Sequence, residues 1–405
     1  MSWPGVVIFG LTYVLISARR LQLIGLDRPA AALLGAIGCV AFGVLSPEGA
    51  IEAIDGSTIL LLFGVMGMGT FLSIDGFLEQ LEDRLVAWAR TPTRLLGGVV
   101  WSAGLLSALI TNDAVCVLGA PLLVRIIQRH RLPALPLLLA LATGANTGSV
   151  ATLVGNPQNM LCGALGGLSY AEFALVMTPV AVVGLAINHG LLWSLYARVL
   201  GHTEMASAAA SAIRRPAMVT TFVLLATAAL YSIGTDLAWT AASGFVVLLI
   251  LHRRDTREVW ARIDWSLLVF FCALFVAVAG LMASGAPAVL FERFPLASSD
   301  ASWIGWTRLS AIFLIGSNVV SNVPFILVVR DQMASLPDAR LGWELLAMTS
   351  TFAGNLTLLG SVANVIVAES GREVGGLGFF QHLRVGLPLA LLTTVMGTAW
   401  LIAVR

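Results

Sequence analysis

Two short stretches constrain this chain more than anything else in it. Residues 152–159 read TLVGNPQN, and about two hundred residues later 357–364 read TLLGSVAN. Each lies in the middle of an apolar run, places Gly where a helix would continue, and ends on Asn. A polar group sits deep in another apolar run ahead of each: Thr111, Asn112 and Asp113 before the first, Ser321 and Asn322 before the second. Helix-breaking, amide-rich segments inside hydrophobic runs cost free energy in lipid unless they line a cavity or meet one another. Two of them in corresponding halves predict a substrate site between repeats, as secondary transporters build it.

The runs around these stretches set the class. Hydrophobic residues make up 58% of the 405 positions and charged residues only 11%. Soluble domains carry roughly a quarter charged residues, so the expectation is an all-α polytopic membrane protein in a bacterial-type inner membrane. A net charge of +1 gives no sign of a nucleic-acid partner; the partners expected are lipid and a small-molecule or inorganic anion. Cys39, Cys116, Cys162 and Cys272 are isolated in apolar runs without CxxC or regular His/Cys spacing, which argues against a disulfide framework or a structural zinc site. The first run starts almost at Met1 with no basic n-region and no cleavage site after it, so it reads as a membrane helix rather than a signal.

Windows of about 20 apolar residues predict helices near 4–18, 29–45, 57–75, 172–197, 217–233, 237–251, 264–282 and 380–404, and broken helices over 134–168 and 342–370. Runs 95–128 and 303–330 are too long for one span and too short for two. They predict re-entrant hairpins with Asn112 and Asn322 at the tips. Internal offsets support a duplication: Asp55 to Asp264 is 209, Asn112 to Asn322 is 210, and Thr152 to Thr357 is 205. Each half then holds five spans and one hairpin, and an odd number of spans gives the halves opposite orientation. With both termini outside, 18 of the 23 Arg fall on the cytoplasmic side, as the positive-inside rule requires.

The expected division is scaffold helices at 1–92 and 217–300, transport-domain parts at 93–200 and 301–405, and a cytoplasmic linker at 201–216. The amphipathic segment 76–90 gathers Phe77, Leu78, Leu81, Leu85 and Trp88 on one face and is expected to lie in the interface. The segment 286–294 is a weaker version of it.

A broken helix leaves orphan N–H groups on one side of the break and orphan carbonyls on the other. The first attract anions and the second suit cations. Gly155 and Gly360 permit the breaks, while Thr152, Asn156, Asn159, Thr357, Ser361 and Asn364 supply hydroxyls and amides. The competing use of such small residues is close helix packing. Asp113 is expensive in mid-membrane unless it binds a cation, carries a proton, or stays neutral as a local donor. A coupling Na+ near Asn112, Asp113 and Asn159 is one expectation, a proton on Asp113 the other; no further cofactor or metal is expected. Cys116 and Cys162 could border the cavity, although packing is the commoner role. Glu369 and Arg372 read as an interfacial ion pair, and the five His as solvated. An intramembrane hydrolase would need paired aspartates, a Ser/His pair or HExxH at depth, and the sequence offers only Asp113 there, so the chain is not expected to be an enzyme.

TNDAVCVLGAPL, ANTGSVATLVGNPQN and SNVVSNVP resemble the first hairpin, the Gly-rich break and the second hairpin of arsenite-permease-like proteins. On these motifs the whole chain is identified as a member of the ion transporter superfamily, which also holds the divalent-anion:sodium symporters. The resemblance implies an elevator, with hairpins and broken helices as the mobile body, segment 76–90 as a connecting arm, and a homodimer. Sodium-coupled relatives resemble one another in carrying Ser-Asn-Thr at both tips. Thr111-Asn112-Asp113 and Ser321-Asn322-Val323 depart from that pattern, which shifts weight toward proton coupling. The expected function is proton-coupled transport of a small anion or a metalloid oxyacid such as arsenite. The alternative is sodium-coupled uptake of a di- or tricarboxylate.

Overall fold

The computed structural model describes residues 3–17, 27–201, 214–296 and 302–405. They form helices α1 (Trp3–Ser17), α2 (Arg28–Ala41), α3 (Pro47–Glu52), α4 (Gly56–Ile74), α5 (Phe77–Ala89), α6 (Pro92–Leu109), α7 (Asn112–His130), α8 (Ala134–Gly148), α9 (Pro157–Gly166) and α10 (Tyr170–Leu200) in the first half. The second half repeats that order as α11 (Arg215–Ser232), α12 (Leu237–His252), α13 (Thr256–Trp260), α14 (Trp265–Ala283), α15 (Ala286–Arg293), α16 (Trp303–Val320), α17 (Asn322–Met333), α18 (Ala339–Leu356), α19 (Val362–Ser370) and α20 (Phe379–Val404). No strand occurs among the described residues.

Local chemistry sets the starts of these helices. Asp27, Asp55, Asp236 and Asp264 each cap a helix by accepting a hydrogen bond from a first-turn N–H, which satisfies one of the orphan donors there. Asp27 and Asp236 open α2 and α12, and Asp55 and Asp264 open α4 and α14. These matched caps hold one register across the halves. Left-handed Gly76 and Gly285 turn the chain into α5 and α15, a conformation Gly adopts at no steric cost.

Of the expected spans, α4, α8 with the short turn after it, α10, α14 and α20 are long and apolar enough to cross a membrane; α1, α2 and α12 are apolar but shorter. The expected linker lies largely outside the described residues, and α11 already begins at Arg215. Helices α3 and α13 were not foreseen. They are too short for a periodicity signal and precede α4 and α14 at equivalent places.

Packing follows the interchange of halves. Helix α4 packs on α12 and α14 on α2; α6 packs on α8 and α16 on α18; α7 meets α19 and α17 meets α9. Both α8 with α18 and α10 with α20 meet their own counterparts. Close crossings rest on glycine: a Cβ on Gly148 would lie 2.2 Å from Gly104 Cα, so α6 and α8 touch backbone to backbone.

In helix α5, Phe77 and Leu85 of the apolar face pack on the core. Gln80, Val86 and Ala89 are buried, while Trp88 is 63% exposed. The Gln80 amide donates to Gly76 O (2.7 Å) and its carbonyl accepts from Arg214 N (2.7 Å). The polar residue therefore docks the arm, and the indole faces outward. Two of the histidines depart from a solvated reading, and His202 lies outside the described residues. His382 is fully buried, and His252 Nε2 lies 2.9 Å from Oδ2 of buried Asp75, which also accepts from Thr220. Glu344 at the start of α18 is buried too, paired with Arg340 and Arg405.

Candidate functional site

Both breaks form where Gly and Asn predict them. Thr152 and Asn156 are extended between α8 and α9, as are Thr357 and Ser361 between α18 and α19. Gly155 is obligatory: a Cβ there would stand 2.1 Å from Ser149 O.

The orphan carbonyls of each break are closed by the Asn that follows. Asn159 Nδ2 donates to Ser149 O (3.2 Å) and Thr152 O (2.9 Å). Asn364 Nδ2 donates to Gly354 O (2.7 Å) and Thr357 O (3.2 Å). Each Asn then accepts from the other half: Asn159 Oδ1 from Thr351 Oγ1 (2.9 Å), Asn364 Oδ1 from Asn146 Nδ2 (2.9 Å). Asn156 Nδ2 donates to Thr351 Oγ1 (3.0 Å), and at the equivalent place Ser361 Oγ donates to Asn146 Oδ1 (3.0 Å). Asn159 and Asn364 are fully buried, so they brace the two breaks against each other.

This network fixes the direction of one more amide. Backbone carbonyls can only accept, so Asn364 must turn its nitrogen to them and its oxygen to Asn146. Asn146 therefore presents its oxygen to Asn112, whose Nδ2 donates at 2.7 Å. Asn112 Oδ1 is left without a partner. At the second tip, Asn322 Nδ2 donates to Gly360 O (3.3 Å), and Asn322 Oδ1 is likewise unpaired.

Both tips line one cavity of about 60 Å³, together with Asp113, Gln158, Ser321, Gly360 and Ser361. The first turns of α7, α9, α17 and α19 all contribute to its wall. Four positive dipole ends thus meet at one place, although Pro157 gives α9 no N–H at its first position. Asp113 receives a hydrogen bond from the backbone N–H of Ala363 and lies within electrostatic reach of Arg28 and Asp264.

The tips differ in strain. Thr111 has ordinary extended geometry and caps Ala114 N at 3.3 Å. Ser321 sits at φ 69°, ψ 150° with no side-chain cap bond, a region that costs a non-Gly residue about 1–3 kcal/mol.

Of the residues singled out in the sequence, Asn112, Asp113, Ser321, Asn322, Gly360 and Ser361 border the cavity. Thr152 donates to Ala108 O (2.7 Å), and with Gly155, Asn156, Asn159, Thr357 and Asn364 it builds the breaks behind the cavity. Cys116 and Cys162 are fully buried and not part of its wall. Glu369 and Arg372 pair at 2.7 Å. Among the described residues no group of three or more His, Cys, Asp or Glu could hold a metal ion. Sequence reasoning missed Asn146 and Thr351, which occupy equivalent positions and carry the bonds between halves.

The family model described as citrate transporter matches residues 13–353. The chain belongs to this family. Over 97% of its length it is 32% identical to a silicon efflux transporter of Oryza sativa subsp. japonica, covering 96% of that protein. It is 23% identical over 96% of its length to a Dictyostelium discoideum protein bearing the transporter name arsB, covering 90% of it. Among solved structures, the YdaH transporter of Alcanivorax borkumensis matches with a TM-score of 0.55 at 16% identity, covering 99% of this chain and 96% of that one; the likeness is one of fold. This family member is a membrane-embedded transporter, not an enzyme.

Proposed function

We propose that this citrate-family transporter is a proton-coupled secondary carrier for a small oxyacid, with metalloid oxyacids such as arsenite or silicate as the leading class. The observation that carries the reading is the pair of unpartnered acceptors, Asn112 Oδ1 and Asn322 Oδ1, beside Asp113 in one small cavity. A buried acceptor left unpaired costs about 1–3 kcal/mol, and an oxyacid offers several O–H donors on a compact centre. A cavity of about 60 Å³ suits a few water-sized groups better than a tricarboxylate. The relatives that carry silicon efflux and arsB names support the same class.

In this reading the halves are inverted repeats. Helices α6–α10 and α16–α20 form the moving body, and α1–α5 and α11–α15 the scaffold of a homodimer. Both ends of the chain lie outside, and the interchange of helix contacts between halves supports that plan. A second reading has the same three acceptors hold Na+ during carboxylate uptake, which the family's name favours.

Thermal unfolding of purified protein separates the two, with arsenous acid, silicic acid, citrate, sodium and pH varied independently, because a bound ligand raises stability by mass action. Stabilisation by the oxyacids without sodium is expected. Stabilisation by citrate alone, and only with sodium, would sink the oxyacid reading.

A further inference from the structure

Another cavity, of about 520 Å³, lies where α5 and α10 both pack on α6. None of its lining residues belongs to the cavity between the tips. Gly97 and Gly98 of α6 form its floor. A Cβ on Gly97 would lie 2.7 Å from His189 Nε2, and one on Gly98 would lie 2.9 Å from Leu85 Cδ1 and 3.2 Å from Trp88 Cζ3. The neighbouring helices therefore seat their side chains directly on the α6 backbone. Trp88, Trp101 and Trp193 supply the apolar wall, and all three are exposed.

The polar groups turned to this cavity are donors. Arg94 is exposed and has no ion-pair partner among the described residues. Trp101 Nε1 lies 3.3 Å from His189 Nδ1. An indole N–H can only donate, so Nδ1 accepts and the proton of the neutral imidazole sits on Nε2. The hydroxyl of Thr93 is engaged by Gly201 O at 2.8 Å. Among the described residues no carboxylate lines the cavity.

Arg94 stands in the first turn of α6, and Trp101 lies two turns further on, about 10 Å along the axis. An exposed arginine at the end of an apolar helix belongs at the water–lipid interface, where indoles also collect. The cavity thus runs from a cationic rim inward along indole walls.

We propose that this cavity binds a phospholipid with an anionic headgroup, its phosphate accepting from Arg94 and His189 Nε2 and its acyl chain lying along the indoles. One phosphodiester balances the one guanidinium in a charge-assisted pair. An ammonium-bearing headgroup would bring a cation that finds no carboxylate in the wall, so the fit is to a lipid such as phosphatidylglycerol. Free phosphate would leave the indoles uncovered.

Thermal unfolding of the detergent-solubilised full chain tests this, with dioleoyl phosphatidylglycerol, dioleoyl phosphatidylcholine or inorganic phosphate titrated in. Wild type is expected to be stabilised by phosphatidylglycerol well below the concentration at which phosphatidylcholine acts, and not by inorganic phosphate. Arg94→Gln is expected to weaken phosphatidylglycerol binding about fivefold or more, the contribution of one arginine at an anionic lipid surface, and to leave phosphatidylcholine within about twofold. Arg94→Lys keeps the charge and is expected to retain part of the preference; it and the unliganded melting curves separate lost binding from misfolding. Arg129→Gln removes an exposed arginine at the end of α7, outside the cavity, and is expected to change phosphatidylglycerol binding by no more than about twofold. Equal stabilisation by both lipids, a match by inorganic phosphate, equal losses in Arg94→Gln and Arg129→Gln, or no stabilisation by any lipid would each overturn the proposal.

Discussion

Asn112 and Asp113 are neighbours at one helix start, yet they answer to different constraints. The amide is oriented by two others behind it, Asn146 and Asn364, anchored on a backbone carbonyl; the carboxylate faces a backbone N–H, a cation and a second carboxylate. Asp113→Asn keeps the shape but cannot ionise. Substrate binding is expected to stay measurable, while uptake driven by a pH gradient in proteoliposomes disappears; unchanged gradient-driven uptake would remove the proton from Asp113. Asn159 and Asn364 predict something else, because both are buried and fully engaged. Asn159→Ala and Asn364→Ala are each expected to destabilise the purified protein by about 1–3 kcal/mol for each buried group left unpaired; affinity in the folded fraction is expected to be unchanged for Asn159→Ala, whereas Asn364→Ala also releases Asn146 and Asn112. Affinity falling at constant melting temperature would instead make them ligand contacts. Ser321→Gly relieves the positive φ at the second tip and is expected to raise the melting temperature, by an amount worth about 1 kcal/mol or more.

The helices show which features a sequence can and cannot reveal. The breaks were legible because Gly155 and Gly360 interrupt runs that otherwise favour helix, and the tips because Asn112 and Asn322 are polar where their neighbours are not. Asn146 and Thr351 were not legible, because each sits inside an unbroken helix and its role appears only when α8 and α18 meet. Arg28, which lines the same cavity as the two tips, was hidden for another reason: counted among the positive residues that set orientation, it gave no sign of facing a cavity. Gln80 was not legible either, because an apolar face shows where side chains prefer to go, not which polar group the rest of the chain needs. Gly104 and Gly148 carry a test at this scale. Gly148→Ala has no room between α6 and α8, and is expected to lower the yield of folded protein far more than Gly10→Ala, where a Cβ meets nothing within 4 Å. Equal yields would mean the crossing tolerates separation.

At the scale of the whole molecule the proposed inverted arrangement makes a prediction about sides. In a variant without the native Cys, cysteines introduced near Arg129 and Arg330 are expected to label from opposite faces of the membrane; labelling from one face would overturn the proposed topology. The amide series through Asn364, Asn146 and Asn112 has a bearing on energetics across that membrane. Its far end is fastened to backbone carbonyls, which never become donors, so no rotation of Asn112 can turn its oxygen into an N–H while the breaks hold. A site whose hydrogen-bonding sense cannot reverse recognises its cargo by the same chemistry whichever face it opens to. On the proposed reading, any difference in affinity between the two faces then falls to the proton on Asp113, and net direction to the concentrations and potentials on either side.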